Sequence, residues 1–157
     1  MVRKVFAMDD RLFVELREEL TKDILPYWVK WAKVDGGRGF YGAIGNDNRG
    51  NAAEWRGIVM VSRFLWTYSA AARFLGDASC MEMSDYAYSY MMKSFADRRN
   101  GGVFWSVNAD GSPLLSRKQI YGNAFALYAL GEYAAAVKEL RTAAVRGTHV
   151  YLISAKS

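Results

Sequence analysis

Apolar positions along this chain recur at helical spacing, and glycine-rich runs interrupt the pattern. Leu12, Leu16, Leu20 and Ile24 repeat every four residues with Phe13 beside them, while Glu15, Arg17, Glu18, Glu19 and Lys22 take the other side. This predicts an amphipathic helix from a cap at Asp9 or Asp10 to about Ala32. Pro26 is expected to bend or break it near Leu25. Tyr27, Trp28 and Trp31 follow, an aromatic cluster that serves either as core or as a pocket wall. A second helix is predicted over about 54–75. A third, opened by Ser79 after Gly76-Asp77, runs to about Phe95 with Tyr88, Met91, Met92 and Phe95 as its packing stripe.

The interruptions have their own chemistry. Gly36-Gly37-Arg38-Gly39-Phe40-Tyr41-Gly42 cannot continue a helix, and Gly45-Asn46-Asp47-Asn48 adds turn signals. An irregular loop is expected over about 34–53, with a short strand around Phe40-Tyr41. No Gly-Lys-Ser/Thr follows these glycines, so they do not read as a phosphate loop. After Asn100-Gly101-Gly102, residues 103–108 read as a strand, Asp110-Gly111 as a hairpin turn and Pro113 as the start of the return.

A fourth helix is predicted over about 121–138. Tyr121, Phe125 and Tyr128 share one face, and Gly122, Ala124, Ala126, Ala129 and Gly131 leave room for close neighbours. Being apolar nearly all round, it is expected to be buried on all sides as a core helix. The Tyr121 hydroxyl then needs a polar cavity or a hydrogen-bond network. In the second helix, Arg63 interrupts the apolar run from Ile58 to Trp66. A guanidinium there is either a structural ion pair or a ligand contact.

These elements repeat. Gly39-Phe40-Tyr41 and Gly102-Val103-Phe104 lie 63 residues apart (102 − 39), and the helices after them recur at about the same interval. Such a period holding two helices describes stacked helical hairpins, each unable to bury its own apolar face alone. The expected fold is all-α, with helical hairpins that stack or close into a ring, this chain as the opening part of a larger ring, and short β-hairpin loops between them. A six-hairpin toroid of this period is more than twice as long as the chain, which holds about two and a half hairpins.

Composition narrows the class. The chain has 157 residues, 52% of them hydrophobic and 24% charged, which suits one ordered globular domain. No apolar run reaches membrane-spanning length, and the first ten residues lack a signal-peptide core, so no membrane partner is expected. Cys80 is the single cysteine, which excludes an internal disulfide and suits a reducing cytoplasm. The net charge of +5 raises the question of nucleic acid. The basic residues are interleaved with acids, and the densest groups, Arg98-Arg99 and Arg117-Lys118, sit beside turns. Solvated loop charge accounts for them, and no nucleic acid is expected.

Several motifs resemble the N-acylglucosamine 2-epimerase superfamily, and its cellobiose 2-epimerase branch in particular. They are Leu25-Pro26-Tyr27-Trp28, Gly39-Phe40-Tyr41-Gly42, Ser62-Arg63-Phe64-Leu65-Trp66-Thr67-Tyr68, Asp85-Tyr86-Ala87-Tyr88 and Gln119-Ile120-Tyr121-Gly122, in order and at matching spacing. The resemblance implies an (α/α)6 barrel with a central sugar cleft, no redox cofactor and no metal ligands. It implies inversion of carbon 2 of the reducing-end sugar of a β-1,4-linked disaccharide such as cellobiose. One histidine removes the carbon-2 proton, a cis-enediolate forms, and a second histidine returns the proton to the other face. Arg63 falls at the family's enediolate-stabilising arginine, Tyr121 at its sugar-contacting tyrosine, and Trp66 and Tyr41 among aromatics that stack on sugar.

Departures from the family decide what is expected of this polypeptide. Its one histidine, His149, matches no family motif. After about Leu140 the hairpin pattern is lost, so residues 1–140 are expected to be the N-terminal portion of the barrel domain and 141–157 an atypical tail, read out of frame or simply divergent. A chain of this kind is expected to be inactive alone. The alternatives are a non-catalytic sugar-binding remnant and a helical-hairpin module that self-associates through exposed ring edges.

Overall fold

The computed structural model describes the backbone over residues 10–37 and 39–154, and side chains up to residue 140. Asp9 as a cap, the N-terminal leader reading and the His149 side chain lie outside these. Among the described residues, four helical stretches form two hairpins. The first stretch is α1 (Asp10–Glu18), a π-helical segment (Glu19–Ile24) and α2 (Leu25–Trp31), in continuous helical geometry. Pro26 does not break it. The Leu25 N–H reaches back to the Leu20 carbonyl, five residues away. The widened turn accommodates the proline ring, which in a regular helix clashes with the carbonyl four residues earlier.

The second stretch is α3 (Ile58–Leu75), closed by Gly76 in the left-handed conformation at φ 67°. The third is α4 (Ala78–Tyr90), capped by the Asp77 carboxylate, which accepts from the Ser79 N–H at 2.8 Å, and continued by a π-helical segment (Met91–Phe95). The fourth, α5, runs over Ile120–Ser154. It extends beyond the expected end near 138 and, to Ser154, into the stretch set apart as a tail.

The helices α3 and α5 lie side by side and parallel. Arg63 meets Phe125, Trp66 meets Tyr128, and Arg73 bridges Glu132 and Glu139, so contacts advance together along both. Behind them α4 packs on α3, where Ser69 and Ser84 hydroxyls bond at 2.5 Å in the core, and reaches α5 through Tyr133, whose hydroxyl donates to Asp85 at 2.6 Å.

The expected strand near Phe40 is a single bridge to Lys33, and the ladder in that loop is β1 (Ala43–Ile44) with β2 (Gly50–Asn51). The strand predicted over 103–108 forms ladder pairs only at β4 (Ser106–Val107). It joins β3 (Arg56–Gly57) on one side and β5 (Pro113–Leu115) on the other, in a three-stranded antiparallel sheet. This sheet ties the start of α3 to the loop before α5, and the Ile58 N–H donates to the Trp105 carbonyl at 3.0 Å.

The repeat holds at the level of single hydrogen bonds. The bridge Lys33–Phe40 recurs as Ala96–Val103, each partner 63 residues on (96 − 33, 103 − 40). Tyr41 N–H to Ala32 carbonyl recurs as Phe104 to Phe95, and Val34 to Gly39 recurs as Asp97 to Gly102. Each copy of the loop is then pinned differently. The Tyr86 hydroxyl accepts from the Gly39 N–H at 2.9 Å and donates to its carbonyl at 2.7 Å. In the second loop the Asn123 side chain accepts from the Val103 N–H at 3.0 Å.

Two expectations about burial fail. The fourth helix is not buried on all sides: Gly122, Ala126 and Ala129 face the core, while Ile120, Tyr121, Leu127 and Tyr128 are exposed. The Leu12, Leu16 and Ile24 stripe of the first helix is likewise largely exposed. In both cases the apolar pattern is real, but nothing among the described residues covers that face. Tyr121 is therefore exposed rather than enclosed among the described residues, and its ring packs edge-on to Phe125 at 4.8 Å.

Candidate functional site

The loop between α2 and α3 is built around two buried groups. Phe40 is fully buried, stacked on Phe64 with centroids 4.4 Å apart and edge-on to Tyr86 and Tyr90. Burying such a ring stabilises the fold by about 2–3 kcal/mol. Arg56, 1% exposed, donates to the carbonyls of Phe40 (2.8 Å), Ala52 (3.0 Å) and Glu54. Its guanidinium closes the loop on itself, with three carbonyls in place of a carboxylate. Gly50 is needed where Tyr41 lies against the backbone, since a Cβ there falls 2.3 Å from the ring. Tyr41 is thereby held half-buried facing α3.

Between this loop, α2 and α3 lies a cavity of about 700 Å³. Trp28, Tyr41 and Phe64 give it aromatic walls, and Arg63, Thr67 and Tyr68 give it polar groups; no carboxylate or imidazole lines it among the described residues. The Tyr68 hydroxyl is committed, donating to the Leu25 carbonyl at 2.8 Å, and burial raises its pKa well above the ordinary phenol value. It is a fixed donor rather than an acid or base at neutral pH.

Arg63 sits at the edge of this cavity and is exposed. Among the described residues no carboxylate pairs with it. Its guanidinium carbon lies 5.5 Å from the centre of the Phe125 ring, a cation–π contact of about 0.5–1 kcal/mol at an exposed site that orients the group and leaves its N–H donors directed elsewhere. Of the two readings open at the sequence level, a structural ion pair is not what the described residues form.

The four residues singled out in the sequence meet unequally. Tyr41 and Arg63 line one cavity. Tyr121 reaches Arg63 only through Phe125, which touches both. Trp66 lies in the α3–α5 seam, stacked on Tyr128 at 5.2 Å and 14° from parallel, so one of its faces is already covered. The sequence assigns no role at the site to Thr67 or Phe125, while Trp28, expected either as core or as a pocket wall, lines the cavity. A signal for Trp28 was present, since it continues the four-residue stripe after Ile24 toward the Arg63 face.

Comparison with known proteins agrees with this architecture. The family model for N-acylglucosamine 2-epimerase matches residues 39–155. The cellobiose 2-epimerase of Bacteroides fragilis is 42% identical over 126 residues, covering 80% of this chain and 32% of that protein. That of Dictyoglomus turgidum is 34% identical, covering 76% and 30%. The solved cellobiose 2-epimerase of Spirochaeta thermophila superposes with TM-score 0.77 at 34% identity, over 90% of this chain and 35% of that one. A D-mannose isomerase at 16% identity shares the fold, with TM-score 0.66. The chain thus spans about a third of the length of the curated relatives it matches. Two (α/α)6-type hairpins with their repeated aromatic loops, and these matches, make it a member of the N-acylglucosamine 2-epimerase family.

Proposed function

We propose that this chain carries the arginine side of a sugar 2-epimerase site for the reducing-end sugar of a β-1,4-linked disaccharide such as cellobiose. The observation that carries the reading is Arg63: an exposed guanidinium with no carboxylate partner among the described residues, oriented by Phe125 at the edge of an aromatic cavity. In the reaction the pyranose ring opens, a base takes the carbon-2 proton, and the electron pair moves onto the carbonyl oxygen to give a cis-enediolate. Arg63 stabilises that oxygen by charge-assisted hydrogen bonding. Return of a proton to the opposite face inverts the centre. Tyr121, Tyr41 and Trp66 contact the sugar, Trp66 by its uncovered face.

Two imidazoles are needed on opposite faces, and a single copy holds one histidine, His149. The chain alone therefore binds sugar without turning it over, as the N-terminal portion (residues 1–140) of a barrel domain in the cytoplasm. Incubating the purified chain with cellobiose and assaying for glucosylmannose tests this. No product is expected, and product formation refutes the reading that the chain alone lacks a complete pair of acid–base groups.

A further inference from the structure

Tyr86 belongs to the motif Asp85-Tyr86-Ala87-Tyr88, to which the site described so far gives no role. It lies on α4 and is not among the residues that line the cavity. Its hydroxyl nevertheless reaches the loop that does line it. It takes both backbone groups of buried Gly39, accepting from the N–H at 2.9 Å and donating to the carbonyl at 2.7 Å. The ring is fixed as well, edge-on to Phe40 at 5.4 Å and beneath the Lys33 ammonium at 4.6 Å. Burial raises the phenol pKa above its ordinary value, so the hydroxyl stays a donor at neutral pH.

The second copy of the loop shows that closing such a loop does not require this clamp. It keeps the Ala96–Val103 bridge, the Phe104 N–H bond to Phe95 and the Asp97 N–H bond to Gly102. The side chain that holds it is Asn123 of α5, which accepts from Val103 rather than from Gly102. The Tyr86 contact is therefore an addition at the loop that walls the cavity. What it adds is position. Gly39 has φ of 92° and lies too close to the Tyr90 ring for any Cβ. Phe40 follows, buried and stacked on Phe64. Tyr41 comes next, lining the cavity with Gly50 against its ring.

We propose that Tyr86 is a positioning residue for sugar binding: by clamping both backbone groups of Gly39 to α4, it sets the place of Tyr41 in the cavity wall. This rests on the reading of Arg63 and Tyr41 as sugar contacts.

Tyr86→Phe removes the hydroxyl and keeps the ring against Phe40. The cellobiose affinity of the full chain, read by NMR titration, is expected to fall about three- to tenfold. Ser84→Ala, on the same helix, breaks the core bond to Ser69 and is expected to leave the affinity unchanged. In a Tyr41→Ala background the positioned group is gone, so Tyr86→Phe is expected to weaken binding no further. Hydrogen exchange reads the same coupling in the wild type. Saturating cellobiose is expected to slow exchange of the Gly39 amide, because a clamp that favours binding is favoured by it in turn. Wild type that binds no cellobiose overturns the site reading and this proposal together. Binding that Arg63→Ala weakens and Tyr86→Phe leaves unchanged overturns the positioning role alone. Equal losses with and without Tyr41, or a Gly39 amide that cellobiose does not slow, overturn it too.

Discussion

Arg63 rests on the face of Phe125 with 5.5 Å between guanidinium carbon and ring centre, and Phe125 in turn takes the edge of Tyr121 at 4.8 Å. Arg63 and Tyr121, both carried over from the family motifs, are therefore linked through Phe125, to which no role was assigned. A guanidinium held by a ring keeps its hydrogen-bonding capacity, because the quadrupole orients the cation without occupying its N–H groups.

Arg56 carries the conformation of the loop that walls the cavity. Replacing it by methionine leaves the carbonyls of Phe40, Ala52 and Glu54 without their donor in a buried setting. Arg56→Met is expected to cost about 3 kcal/mol and to lower the melting temperature by about 10 °C for a domain of this size. Thermal melts followed by circular dichroism measure it.

Gly39 combines φ of 92° with a close approach, since a Cβ there falls 2.3 Å from the Tyr90 ring. Gly39→Ala is expected to destabilise by about 2 kcal/mol or more, through left-handed strain and displacement of a packed ring. Gly37→Ala carries the backbone strain without the clash, as nothing lies within 4 Å of its Cβ position. Urea denaturation of the two variants should therefore separate the two contributions.

Asp97 organises the second glycine loop. Its carboxylate accepts from Lys118 Nζ at 2.7 Å and from the N–H groups of Asn100 and Arg99, and these bonds, Lys118 first, hold its pKa well below the usual 3.8. A folded pKa below the unfolded one stabilises the fold at pH above about 4, and that stability is lost as pH falls toward the folded value. Asp97→Asn is expected to flatten the acid limb of the stability curve between pH 4 and lower pH. Denaturant midpoints measured across that range check it.

Burial, then the Asp77 charge and its hydrogen bond, push the Cys80 thiol up to about 11 from the usual 9.0. At pH 8 the thiolate fraction is about a hundredfold below that of the unfolded chain. Thiol-reactive dye is expected to label the native chain at least that much more slowly than the urea-unfolded one, in a timed absorbance assay.

Periodicity carried the helices well, because burial of one apolar face is a local, repeated constraint. The 63-residue repeat, read from Gly39 and Gly102, reappears in matched hydrogen bonds. What periodicity cannot carry is which partner covers a face. Leu12, Leu16 and Leu127 read as buried and are exposed, since an apolar stripe records that a neighbour is needed and not whether this chain provides it. The passage through Pro26 was missed for another reason: a π turn depends on one carbonyl moving aside and leaves no mark in the hydrophobic pattern. At the site, Arg63 was visible as a charge in an apolar run. Phe125 was not, and Trp28 stayed open between core and pocket wall, because an aromatic at helical spacing looks the same whether it packs a core or lines a cleft.

Saturation-transfer difference NMR of cellobiose in heavy water, with the wild-type chain and with Arg63→Ala, tests the sugar-site assignment most directly. Arg63 is exposed and loses only its contact with Phe125, so the substitution is expected to shift stability by no more than about 1 kcal/mol. The account predicts transfer to the reducing-end protons with wild type, at least a tenfold weaker affinity with Arg63→Ala, and no exchange of the carbon-2 proton in either. Absence of transfer with folded wild type, or transfer unchanged by Arg63→Ala, contradicts it.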